Sequence, residues 1–100
     1  MTITENETND LITILISGRL DKVSSPQLLE EMKPEVEKGK DIVFDLKDLT
    51  YISSAGLRVL LSTTRDVKEK GKKTTIINVN SDVMDIFNIT GFTYMLDIKQ

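Results

Sequence analysis

One hundred residues suffice for one compact domain, and 39% apolar residues fill a single modest core. Sixteen acidic residues against thirteen basic ones give a net charge of −3, without the basic footprint that a nucleic acid backbone requires. The chain has no cysteine and no histidine, which excludes a disulfide framework, a thiolate nucleophile, a Ser-His-Asp triad and the common zinc ligand sets.

The N-terminus lacks the features of a signal peptide, and the longest apolar run, Leu11 to Ile16, is far short of a membrane span. A cytoplasmic location without membrane insertion is the expectation. Ile3 marks a short first strand, closed by the turn-prone Glu7-Thr8-Asn9-Asp10. Leu11 to Ile16 is rich in β-branched residues and reads as a buried strand that stops at Ser17-Gly18.

Ser24-Ser25-Pro26 reads as a helix start, with a serine cap and an early proline. Leu28, Leu29, Met32 and Val36 form its apolar stripe, Pro34 should bend it, and Gly39 closes it. Asp41 to Leu46 is the next buried strand. Leu57, Leu60, Leu61, Thr64 and Val67 then set an inward helical period, with Arg58, Arg65, Asp66 and Glu69 facing water and Gly71 ending the helix. Lys70, Lys72 and Lys73 read as its solvated end. Lys73 to Val79 forms a strand, Ser81 caps a short helix with Val83, Ile86 and Phe87 inside, and Gly91 stops it. Phe92 to Ile98 supplies a last strand or turn, and Met32, Met84 and Met95 are expected to fill the core. Strands separated by helices need crossovers, so the expected architecture is α/β: one domain over residues 1–100, with a mixed, mainly parallel sheet of four to five strands and three to four helices.

Ser53-Ser54-Ala55-Gly56 lies where a strand feeds the best helix, so its free N–H groups and positive dipole end favour a negative group. The ordinary alternative is a serine N-cap. On the residues alone Asp21 reads as a former of its own loop, and Asp45 and Asp48 read as solvated turn formers rather than metal ligands.

The stretch Asp45-Leu46-Lys47-Asp48-Leu49-Thr50-Tyr51-Ile52-Ser53-Ser54-Ala55-Gly56-Leu57-Arg58-Val59-Leu60-Leu61 resembles the signature of STAS domains of the anti-sigma factor antagonist type. Gly18-Arg19-Leu20-Asp21 resembles the family's Gly-x-Leu-Asp loop, and Ser81 to Gly91 resembles its third helix. The resemblance implies a partner-switching protein with no catalysis and no cofactor of its own. Unmodified, it binds an anti-sigma factor that is also a serine kinase, and a sigma factor is released. Phosphorylation of Ser54 then ends the binding, and a serine phosphatase resets it. Ser53 stands where the family commonly has aspartate, which makes it the alternative acceptor. Asp21, Ser53, Ser54, Ala55, Gly56 and Arg58 are the implied partner-binding residues. The alternative function is a non-phosphorylated docking subunit of a transporter ATPase or signalling complex. Many relatives continue into a C-terminal helix past the position of Gln100, so weak homodimerisation is a further expectation.

Overall fold

A computed structural model describes residues 1–99. β1 (Thr2–Glu7) and β2 (Leu11–Leu20) form an antiparallel hairpin whose turn is closed by the Thr8 N–H donating to the Leu11 carbonyl at 2.8 Å. There follow α1 (Ser25–Glu37), β3 (Asp41–Asp45), β4 (Leu49–Ile52), α2 (Ser54–Glu69), β5 (Thr74–Ile77), α3 (Ser81–Thr90), a 3-10 turn (Phe92–Tyr94) and β6 (Ile98–Lys99). The sheet runs β1-β2-β3-β5-β6, parallel from β2 onward, with β4 paired to the far end of β2.

Period-two patterning sets the core. Ile12, Ile14 and Ile16 on β2, Ile42 and Phe44 on β3, and Ile76 on β5 are all buried. They join Leu28, Met32 and Val36 of α1, Leu57, Leu60 and Val67 of α2, and Val83 and Phe87 of α3 in one cluster. The alternate residues Leu11, Thr13, Leu15, Val43, Thr75 and Ile77 are half-buried. Near one sheet edge, Glu7 accepts from Lys38 at 2.8 Å and from Lys40 at 2.6 Å. These bonds, the one from Lys38 foremost, hold its carboxyl down at about 2 and tie β1 to the α1–β3 connection.

Several local expectations are corrected. β2 does not stop at Ser17-Gly18: Gly18 takes φ +85°, the register shifts between Gly18 and Arg19, and the strand bends onward to pair with β4. β4 itself is a strand that the sequence reading passed over. Asn80, not Ser81, caps α3, because its side chain accepts the Val83 N–H at 2.9 Å while also donating to the Leu49 carbonyl. Leu29 falls outside the buried stripe of α1, and Met95 lies exposed beyond the 3-10 turn rather than in the core. The expectation of one helix through Pro34 holds, with that proline on the exposed side of α1.

Candidate functional site

The bend at Gly18 brings the end of β2 alongside β4, with Arg19 opposite Tyr51 and Leu20 opposite Ile52. The Leu20 carbonyl then accepts the Ser53 N–H at 2.9 Å, which places the loop after β2 against the start of α2. Gly56 permits this closeness. A Cβ there would stand 2.7 Å from Leu20 Cγ, 2.9 Å from Ile52 Cγ1 and 2.9 Å from the Leu20 carbonyl oxygen. Gly56 is therefore a packing requirement as much as part of an opening around the serines.

The two serines occupy different environments. Ser53 is the N-cap by position, with extended backbone (φ −99°, ψ 174°), and its carbonyl accepts the Leu57 N–H at 3.0 Å. Its side chain makes no capping bond, and Oγ is buried without a hydrogen-bond partner. The ordinary N-cap role is thus not filled by this hydroxyl. Ser54, the first helical residue, is exposed. The N–H groups of the first turn point outward from an end that carries neither a side-chain cap nor an acidic residue. Arg58 lies one turn further along the same helix and is exposed, Ala55 is half-buried, and Gly56 is buried.

Asp21 organises its own loop. Its Oδ1 accepts the Val23 N–H at 3.0 Å and the Ser24 N–H at 3.1 Å. The Ser24 hydroxyl accepts the Asp21 N–H at 2.9 Å, with its own proton within reach of the Arg19 carbonyl and of Asp21 Oδ1. The Ser25 hydroxyl donates to the Asp21 carbonyl. Ser24, expected as a helix cap, is spent on this loop and makes no cap bond to α1. The Ser24 N–H does most to hold the Asp21 carboxyl below its ordinary 3.8; partial burial opposes it, while the Ser24 hydroxyl, the Val23 N–H and Arg19 add to the lowering. A depressed folded-state value stabilises the loop above the unfolded value, and that stabilisation is lost as pH falls through the folded one. Amide exchange therefore checks the staple. Asp21→Ala should drop the protection of Val23 and Ser24 to that of an unstructured loop at neutral pH, and acid should do the same to the unmutated chain.

Three surface features escaped the sequence reading as parts of the site: Arg19, Tyr51 and Val23. The Arg19 guanidinium lies 4.2 Å from the centroid of the Tyr51 ring, across the β2–β4 pairing. Its contact with Asp21 Oδ2 is a long 3.8 Å. Val23 projects from the loop with 87% of its surface exposed. The signal for the pair was the strand-forming Leu49-Thr50-Tyr51-Ile52, which supplies a register partner for Arg19. The strand-end Asp45 behaves as a turn former: Oδ1 accepts the Lys47 N–H and the Asn78 side-chain amide, both at 3.1 Å. No set of acidic residues among those described is arranged to hold a metal ion, and no described helix is long and apolar enough to cross a membrane.

A match to the STAS domain family runs over residues 2–100. The chain belongs to this family. This STAS domain is 36% identical over 97 residues to the anti-sigma-B factor antagonist of Bacillus subtilis (strain 168), across 97% of its own length and 87% of the relative's. Its fold matches the anti-sigma factor antagonist SpoIIAA in the unphosphorylated form with a TM-score of 0.79 at 16% identity, covering 99% of this chain and 88% of that one. The phosphorylated form of SpoIIAA, a Bacillus cell fate determinant, gives a TM-score of 0.75 at 17% identity, covering 99% and 92%. The α/β fold with three helices and a mixed sheet is that of SpoIIAA.

Proposed function

We propose that this STAS domain is an anti-sigma factor antagonist that acts by binding and is switched by phosphorylation of Ser54. The observation that carries the reading is the Ser54 hydroxyl, exposed at the first residue of α2 beside the ordered Asp21 loop. The name of the Bacillus subtilis relative supports the role, and the phosphorylated SpoIIAA structure supports a fold that carries phosphate. In the unmodified state, the loop from Arg19 to Ser24 and the start of α2, with Ser53, Ser54, Ala55, Gly56 and Arg58, receive an anti-sigma factor that is also a serine kinase.

That kinase supplies nucleotide, metal and base, so this chain contributes an acceptor hydroxyl and no catalytic group. Phosphorylation adds about −1.5 to −2 charges at neutral pH. Within the domain the positive end of α2 stabilises them, and the fold survives. Across the interface the same charge must be desolvated beside the ionised Asp21, so the partner leaves. A serine phosphatase restores the hydroxyl.

Calorimetric titration of both forms against the anti-sigma kinases of the source organism tests the proposal. The unmodified chain should form a one-to-one complex, and the phosphorylated chain should bind about 30- to 1000-fold more weakly, a loss of about 2–4 kcal/mol. Equal affinity of the two forms contradicts the switch. A stable complex with a transporter ATPase or a signalling assembly, indifferent to phosphate, would instead carry the docking-subunit reading.

A further inference from the structure

Among the described residues Arg58 makes no ion pair; those present engage Arg19, Lys33, Lys38, Lys40, Lys70 and Lys99. On a helix the side-chain neighbours lie three and four positions away. For Arg58 these are Ser54, Ala55, Leu61 and Ser62, none of them acidic. Arg65 on the same helix, by contrast, has Glu69 four residues on. Two of these neighbours carry hydroxyls: Ser62 is half-buried and donates to the Val59 carbonyl at 3.2 Å, whereas Ser54 is exposed and lies on the N-terminal side of the Arg58 cation.

We infer that Arg58 is the intramolecular counter-charge of a phosphoryl group on Ser54. The inference rests on Ser54 being the modified residue, and it deepens that reading by saying what the phosphate does next. Three features combine. Helical side chains lean toward the N-terminus, which puts the turn that carries Ser54 within reach of the Arg58 side chain. An acidic group four residues N-terminal to a basic one is the better orientation of such a pair, since it also agrees with the helix dipole. A guanidinium engages two phosphate oxygens at once, which an ammonium does not match.

The consequence is a switch with two parts. Phosphorylation removes the Ser54 hydroxyl from the partner's reach and, in the same step, withdraws the Arg58 cation from the surface. The partner loses an attractive group as well as meeting a new charge.

The test uses the full chain with phosphoserine incorporated at position 54 during translation, so no kinase is needed. The second ionisation of the phosphate is followed by ³¹P NMR in this chain and in its Arg58→Gln and Arg58→Lys variants. The parent should titrate below the ordinary value of about 6 for a phosphoserine. Arg58→Gln should raise it by about 0.3–1 pH unit, a two- to tenfold change in the ionisation constant, with Arg58→Lys in between. The difference should shrink at about 1 M salt, where screening acts within about 3 Å. Superimposable titrations of the parent and Arg58→Gln would overturn the inference, leaving the helix N-terminus alone to hold the phosphate. A failure of every kinase to modify Ser54 would remove the functional reading and leave this titration result standing, so the two failures are distinguishable.

Discussion

Gly56→Ala should destabilise the domain, although alanine favours a helix over glycine by about 1 kcal/mol in other settings. The reason is the approach of α2 to the end of β2. The added methyl would sit 2.9 Å from the Leu20 carbonyl oxygen, a backbone atom, and 2.7 Å from Leu20 Cγ. Leu20 and Ile52 are both buried, so neither side chain can swing into solvent to make room. Relief must come from moving the first turn of α2 away from β2, against the bond from the Ser53 N–H to the Leu20 carbonyl. Overpacking of this kind costs about 1–3 kcal/mol. Each kcal/mol shifts the midpoint of a domain this size by about 4–8 °C. Thermal unfolding followed by circular dichroism reads the effect, and a midpoint equal to or above that of the parent would contradict the packing account. Gly56→Val should be worse, since it adds two further methyls at the same place.

Ser54→Ala should abolish phosphate acceptance entirely, whereas Ser53→Ala should leave it intact. The two hydroxyls are adjacent in sequence and separated by burial. Ser53 Oγ has no accessible surface to offer a kinase, and reaching it would require the start of α2 to unwind from the β2–β4 end. Ser54 needs no such movement. Its side chain leaves the helix at the first position, where Ala55 and Gly56 present no bulk. The charge it would acquire lies beside the unfilled N–H groups of that turn, so the modified state is accommodated where it forms. Ser53→Ala also removes a buried hydroxyl without a partner, and for that reason it should not destabilise the fold.

The α/β architecture was legible because apolar periodicity and turn chemistry agreed along most of the chain. Ile12, Ile14, Ile42 and Phe44 announce buried strands, and Leu57, Leu60 and Val67 announce the inner face of α2. Gly91 was readable as a stop and takes the left-handed conformation at φ +80°. What escaped depended on tertiary pairing. Gly18 looks like a strand terminator in sequence, yet a left-handed glycine also makes a bulge, and only the presence of β4 decides between them. Four residues of β4 carry too little pattern to be separated from a loop. Asn80 and Ser81 are both good caps, and the Leu49 carbonyl, distant in sequence, selects Asn80. At the candidate site, the motif singled out Ser54 and the Asp21 loop as candidates. It was silent on Arg19 stacking over Tyr51 and on the burial of the Ser53 hydroxyl, because both arise from the bend in β2.

The central claim is that Ser54 receives the phosphate. Intact-mass analysis after incubation with ATP and the anti-sigma kinases of the source organism tests it most directly, with Ser54→Ala and Ser53→Ala run in parallel. The account predicts one added phosphate on the parent chain and on Ser53→Ala, and none on Ser54→Ala. A phosphate that persists in Ser54→Ala, or its absence from the parent when each kinase modifies a control substrate, would contradict it.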